Sequence, residues 1–256
     1  MQQMPKAKMK TFRRIFRAPP GQRILAADYS QIELRVVAEL ISTHFQRDSI
    51  LRQAFARGTD AHSATAMAMT GKKDVTTEER QMAKPCNFGL LYRMGNLGFF
   101  NYVRAGFKPD ITFDEARELR AKFFAGYPDM ELWQREYSDI SRDQGFTSTV
   151  GGRRWKWEWG AKSEDELDPD MPFYEDALEG FNGAIAVNFP VQGTAAEIMQ
   201  DALCRIHIAI RDEPAELIAT IHDEVLLLVA DNPATVEHVG AIVQREMTAA
   251  FVEVFP

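Results

Sequence analysis

Two aspartates close apolar runs that lie far apart in the chain. Asp28 follows Ile24-Leu25-Ala26-Ala27, and Asp223 follows the run Leu217–Ile221 and His222. Each run reads as a buried strand with an acid at its tip. A carboxylate there is costly unless something compensates it, and a bound cation would do so. Two carboxylates from separate strands are what two-metal phosphoryl transfer requires, because the ions stabilise the attacking and leaving oxygens. Taken singly, each acid is better read as the cap of a turn. A second constellation lies between them: Arg80, Lys84, Phe88 and Tyr92 recur every four residues. On a helix such positions form one slowly winding stripe about 18 Å long. Two cations followed by two aromatics suit a nucleoside triphosphate, with the cations on phosphates and the rings facing sugar and base. An ordinary amphipathic helix with solvated cations accounts for the stripe equally well.

These side chains need elements to hold them. Ile32 to Leu40 has helical spacing, and residues 46–57 and 60–70 read as helices separated by Gly58. Thr76-Thr77-Glu78-Glu79 is a capping box that opens a helix running to about Tyr92. Pro85 lies inside that helix. Interior proline costs about 3 kcal/mol and disfavours helical geometry in the residue before it, so the stripe is expected to bend at Lys84. A second box, Thr112-Phe113-Asp114-Glu115, starts a helix that stops near Gly126-Tyr127-Pro128, and another helix fills 129–143. Residues 146–157 carry a Gly-Gly pair between β-prone arms and predict a hairpin. The acidic, proline-containing stretch 158–172 predicts a loop. A long helix at about 190–211 holds Gln192, Glu197 and Gln200. Leu217–Ile221 and Val225–Val229 read as strands flanking an acidic turn, His222-Asp223-Glu224, and a last helix covers about 233–251. Long helices with a few scattered strands predict an α+β fold.

Composition narrows the class. In 256 residues, 45% are apolar, so a folded core is expected and global disorder is excluded. No apolar run reaches the roughly 18 residues that span a bilayer, so no membrane partner is expected. The first ten residues lack the apolar segment of a secretory signal. Cys86 and Cys204 stand alone, which gives neither a disulfide framework nor a zinc site. A reducing, cytoplasmic setting is the expectation. Net charge is −7, yet residues 1–27 hold seven basic residues (Lys6, Lys8, Lys10, Arg13, Arg14, Arg17, Arg23) and no acid. Six acids and a single lysine follow in Glu158–Asp170. A protein that gathers metal ions can be acidic overall and still grip phosphates locally.

The wording of these segments resembles a known family. Asp28-Tyr29-Ser30-Gln31-Ile32-Glu33-Leu34-Arg35 resembles the first catalytic motif of family A (DNA polymerase I-like) DNA polymerases. The spaced residues Arg80, Lys84, Phe88, Gly89 and Tyr92 resemble their nucleotide-binding fingers helix, and His222-Asp223-Glu224 their third motif. Asp60-Ala61-His62, Gly152-Arg153-Arg154 and the stretch from Asn188 to Ala196 add to the likeness, which runs from about residue 13 to 232. The resemblance implies template-directed addition of deoxynucleotides to a primer 3′ end, with pyrophosphate release. It implies a palm with a short antiparallel sheet, built from 20–40, 146–157 and 215–230, and helical fingers. The expected division is palm 1–43, fingers 44–145 and palm 146–256.

The resemblance also implies roles. Asp28 and Asp223, with the Tyr29 carbonyl, would hold two Mg²⁺ ions, with Mn²⁺ as a substitute. Arg80, Lys84 and His62 would bind the triphosphate, and Lys84 would neutralise or protonate the leaving group. Phe88, Tyr92 and Gln31 would line the nucleotide pocket. Glu33 would pair with Tyr92 and collide with a ribose 2′-hydroxyl. Gln192 and His222 would touch minor-groove edges, and Asn188, Arg153 and Arg154 would hold template or primer. Glu224 is read as structural. Expected partners are primer-template DNA, dNTPs and, as a candidate, a separate chain supplying thumb or exonuclease function; the compartment would be the cytoplasm of a bacterial or phage-infected cell. Two positions depart from the family pattern: Arg93 stands where glycine is usual, and Ala184 where arginine is usual. Thumb and exonuclease domains are expected to be absent. The alternatives are a non-catalytic or partner-dependent DNA-binding fragment of a split polymerase, a single-subunit RNA polymerase relative, and a two-metal nuclease.

Overall fold

The computed structural model describes residues 16–159 and 180–256. The basic residues up to Arg14 and most of the acidic stretch lie outside them. The described residues divide into two compact units, one of 16–32 and 195–256, the other of 33–159 and 180–194. The fold is α+β, as expected.

The first unit is built on a three-stranded antiparallel sheet of β1 (Gln22–Asp28), β4 (Ala215–Ile221) and β5 (Glu224–Ala230), in the order β1-β5-β4. The alternation in β5 buries Val225, Leu227 and Val229 on one face. Helix α9 (Pro233–Val254) packs on β1 and β5, bringing Val239, Val243 and Ala250 into that core. Asn232 starts α9 by accepting the Ala234 and Thr235 amides on its side chain. The expectation of a buried strand at Ile24–Ala27 is corrected here: β1 is an edge strand, and Ile24 is 38% exposed. The apolar run reflects β-propensity rather than burial on both faces, a pair that composition alone does not separate.

The second unit is mainly helical: α1 (Ile32–Phe45, from its second residue), α2 (Ile50–Ala56), α3 (Ala61–Thr70), α4 (Thr77–Gly89), a single 3₁₀ turn at Leu90–Tyr92, α5 (Asn96–Gly106), α6 (Phe113–Gly126) and α7 (Pro128–Gln144). Both capping boxes are present. Thr76 accepts the Glu79 amide and Glu79 accepts the Thr76 amide; Thr112 and Glu115 do the same. Helix α2 starts at Ile50 rather than 46, because the Ser49 hydroxyl takes the Arg52 amide and gives its own proton to Ala38 O. Leu90, Leu91, Phe99, Phe123, Tyr127, Met130 and Trp133 form the core. Helix α4 continues through the buried Pro85, whose missing N–H does not end it.

The hairpin of β2 (Phe146–Ser148) and β3 (Arg154–Lys156) is a sheet of its own. It does not join the three-stranded sheet, contrary to expectation. Its three-residue arms pair with each other, and it docks on the first half of helix α8 (Gly183–Ala209) through Thr147 Oγ1 to Ala186 O and the Val150 amide to Thr194 Oγ1. A Cβ at Gly193 would overlap the Thr149 methyl, so glycine is needed where the hairpin crosses α8. No helix among the described residues is long and apolar enough to cross a membrane.

Both cysteines are free, but they differ in environment. Cys86 is fully buried in α4, and burial pushes its thiol up to about 12, whereas Cys204 is exposed. One thiol, Cys204, should therefore react with a disulfide reagent near neutral pH in the folded chain, and two after denaturation. Two fast thiols in the folded protein would contradict the packing of α4.

Candidate active site

The candidate residues fall into two groups, one in each unit. In the first, strand register brings the two aspartates to one end of the sheet. Asp28 is paired with Glu224 across β1 and β5, and the next amide, Tyr29 N–H, donates to the Asp223 carbonyl at 3.2 Å. Ile221 pairs with Glu224, so His222 and Asp223 form a two-residue turn between β4 and β5. His222 has φ 58° and Gln31 has φ 60°, both left-handed and both beside the aspartates. Such conformations cost about 1 kcal/mol or more outside glycine and tend to gather at functional sites. The Tyr29 hydroxyl donates to Met247 O at 2.6 Å, pinning this end of the sheet to α9. Burial, and then the Asp201 charge, hold the phenol above its ordinary pKa. Asp28 is exposed and Asp223 half-buried. The acids thus sit at an open edge, not in an apolar interior as the sequence suggested.

The donor set fits a hard divalent ion. The Asp28 and Asp223 carboxylates and the Tyr29 carbonyl, next to Asp28 in the chain, offer only oxygen, and Mg²⁺ is commonly held by one or two carboxylates with water and substrate phosphates completing its shell. Among the described residues no cluster of three or more His, Cys, Asp or Glu side chains is arranged to hold a metal ion.

In the second unit, α4 carries Arg80, Lys84 and Phe88, and the turn after it carries Tyr92. Arg80 is engaged: its Nε and Nη2 donate to the two Asp60 carboxylate oxygens at 2.8 and 3.1 Å. Burial alone would raise the Asp60 pKa, but hydrogen bonds from Arg80 and Ser63 and the Arg80 charge outweigh it, holding the carboxyl well below the usual range. His62, in the first turn of α3, is buried and its ring lies 5.7 Å from that of Phe88. Burial, opposed by Asp60 and helped by Arg80 and Lys84, lowers its pKa and favours the neutral ring. Its tautomer follows from Asn87. Thr65 Oγ1 donates to Asn87 Oδ1 at 2.7 Å, so Asn87 Nδ2 faces His62 Nδ1 at 2.9 Å and donates to it. The ring proton is then on Nε2, which remains a donor.

Tyr92 donates its hydroxyl to Glu33 in the first turn of α1, the pairing expected for these two residues. Burial, then the Glu33 charge and hydrogen bond, raise the Tyr92 pKa, against a smaller opposite effect of a hydrogen bond with Gln192. Tyr92 therefore stays a neutral donor. Gln192 is exposed on α8, and Asn188, one turn earlier, has its Oδ1 buried without a hydrogen-bond partner among the described residues. Arg153 and Arg154 are exposed on the hairpin, with the Arg154 guanidinium 4.4 Å from the centre of the Phe146 ring. Trp155 beside them is 47% exposed.

Arg93 answers the question its sequence raised. It adopts φ 59°, the left-handed conformation that favours glycine, and its guanidinium donates to the Ser138 hydroxyl on α7. The same group fills the space where a Cβ on Gly183 would sit. The arginine thus links the end of the candidate nucleotide helix to α7 and to the first turn of α8. Sequence reasoning gave no role to Asp60 or Asn87. Asp60 carries a helix-start signal that hides its second partner, and Asn87 is a poor helix former inside the last turn of α4, which was the available clue.

The family model for "DNA polymerase family A" matches residues 1–254. DNA polymerase I of Aquifex aeolicus (strain VF5) is 30% identical over 94% of this chain and 38% of that protein. The thermostable DNA polymerase I of Thermus filiformis is 32% identical over 93% of this chain and 26% of that protein. The chain therefore spans well under half the length of these relatives. Among solved structures, the POL domain of Pol1 from M. smegmatis, in complex with DNA primer-template and dNTP, superposes with a TM-score of 0.77 at 29% identity, covering 98% of this chain and 41% of that one. With a family model covering nearly every residue, the chain belongs to DNA polymerase family A.

Proposed function

We propose that this chain carries the palm (1–43 and 146–256) and fingers (44–145) of a template-directed DNA polymerase, extending a primer 3′ end with deoxynucleotides. The observation that carries the reading is the pairing of β1 with β5, which puts Asp28 opposite Glu224 and the Tyr29 amide on Asp223. Asp28, Asp223 and the Tyr29 carbonyl would hold Mg²⁺, with Mn²⁺ able to replace it. When bound, two such ions stabilise the entering 3′-oxygen and the departing pyrophosphate oxygen. The chain's own residues do the rest. Arg80, Lys84 and the Nε2–H of His62 bind the triphosphate, and Lys84 neutralises or protonates the pyrophosphate as the α-phosphorus–oxygen bond breaks. Phe88, Tyr92 and Gln31 wall the nucleotide, and Glu33, tied to Tyr92, excludes a 2′-hydroxyl. Gln192 and His222 touch minor-groove acceptors common to all base pairs, which tests pair geometry without reading sequence. Asn188, Arg153 and Arg154 hold the strands, and the exposed Trp155 offers a surface on which a base can stack. Two free thiols suit a reducing cytoplasm.

The test is primer extension with a labelled primer-template, four dNTPs and Mg²⁺. The expected result is template-dependent addition, of short products if this chain works alone. Extension only after a second chain is added would assign the partner-dependent form. DNA binding without extension under either condition would favour the non-catalytic reading.

A further inference from the structure

We infer that Asp60 is a positioning residue for Arg80, holding its guanidinium in a fixed orientation before a nucleotide arrives; this rests on the proposed role of Arg80 in binding the triphosphate. The two groups come from different elements, Asp60 from the N-terminal cap of α3 and Arg80 from the first turn of α4. Their contact is two-pronged, Nε to Oδ2 at 2.8 Å and Nη2 to Oδ1 at 3.1 Å. The carboxylate is itself fixed, because Oδ2 also accepts the Ser63 amide and the Ser63 hydroxyl, each at 2.9 Å. Both side chains keep more than a third of their surface in solvent, 37% for Arg80 and 36% for Asp60.

The donor count gives the pairing its meaning. A guanidinium has five N–H donors, and Asp60 takes two along one edge. The remaining edge stays available to a phosphate in the same plane, so the carboxylate orients the arginine without consuming it. A free arginine would have to give up its rotamer freedom when nucleotide binds; one already held does not. The opposite possibility is that Asp60 competes with the phosphates for the guanidinium and weakens binding. The pair would then open on binding, and removing the carboxylate would strengthen affinity. A third possibility is that Asp60 matters only as the α3 cap, in which case asparagine or serine would serve as well.

These possibilities separate in equilibrium binding of Mg·dATP to the full chain. The series is wild type, Arg80→Ala, Asp60→Asn, Asp60→Ser and the double variant Asp60→Asn/Arg80→Ala. Both replacements keep a good helix cap, and thermal unfolding checks that they fold. Asp60→Asn and Asp60→Ser should each weaken dATP binding about five- to tenfold, the cost of ordering one long side chain. The double variant should bind no more weakly than Arg80→Ala, within about twofold, because Asp60 acts through Arg80. Unchanged or tighter binding in both Asp60 variants overturns the inference, as does an equal loss with and without Arg80. If Arg80→Ala binds dATP as well as wild type, or wild type does not bind it, the nucleotide reading itself fails and takes this inference with it.

Discussion

Replacing Asp223 with alanine is expected to abolish primer extension while leaving the fold as stable as before, or more so. The backbone supports the second half of that statement. The Tyr29 amide donates to the Asp223 carbonyl, not to its carboxylate, so the bond that joins β1 to the β4–β5 turn survives the substitution. Asp28 and Glu224 stand directly opposite each other, with Asp223 next along the chain. Like charges opposite one another in an antiparallel pair are destabilising, typically by a few tenths of a kcal/mol to about 1 kcal/mol. Asp28 and Glu224 form such a pair, and Asp223 adds a third acid next to it in the chain. Deleting Asp223 lowers the negative charge at this sheet end by one and removes half of the proposed metal-binding pair. Losing one preorganised electrostatic group at a reacting centre costs about 10² to 10³ in rate, and losing a metal ligand should cost at least as much. Asp28→Ala should abolish extension as well. Extension assays and thermal melts on the two variants check this together. Retained extension in either variant removes the two-metal assignment. Loss of extension accompanied by a large fall in melting temperature would show the acids to be structural.

Two helix starts were legible because their signals are local. The Thr76 and Thr112 boxes need four residues of sequence each, and both are present as hydrogen-bonded boxes. The β4–β5 turn was legible for the same reason. What sequence could not supply depends on distant partners. Ile24–Ala27 read as buried, yet β1 lies at a sheet edge, and strand order is set by pairing with β5 some 200 residues later. The start of α8 was misplaced because Pro190 resembles the first residue of a helix. The helix in fact begins at Gly183, where the Asn182 side chain accepts the Ala184 and Ile185 amides, and runs on through the proline. The site divides in the same way. The stripe of Arg80, Lys84, Phe88 and Tyr92 could be read from spacing, but the partner that engages Arg80 is twenty residues away on another helix. Arg93 is the most instructive position. The resemblance marks position 93 only as a departure from glycine; in the structure Arg93 keeps a left-handed backbone, and its side chain ties down α7.

Glu33→Ala is expected to admit ribonucleotides. The carboxylate is held by the Tyr92 hydroxyl, and Tyr92 also bonds to Gln192, so the glutamate is fixed in place, as the proposed steric role requires. Exclusion of a larger substrate by a fixed group is worth about as much as misfitting one methylene or hydroxyl, roughly 10- to 200-fold in the ratio of kcat/KM values. Alanine should remove most of that discrimination by raising ribonucleotide incorporation, with deoxynucleotide incorporation little improved. Tyr92→Phe should give a smaller loss, because the carboxylate remains but is no longer anchored. The pH dependence has a definite sign. Tyr92 has a raised pKa in the folded state, so its donor proton is present below the ordinary tyrosine range and is lost only as pH rises through the raised value. Titration of Tyr92 should therefore produce no change in sugar selectivity between about pH 7 and 9. Competition between dATP and ATP on a primer-template measures all of this. An unchanged sugar preference in Glu33→Ala would show that the hydrogen bond to Tyr92 serves the α1 packing alone, and that sugar choice is made elsewhere in the chain.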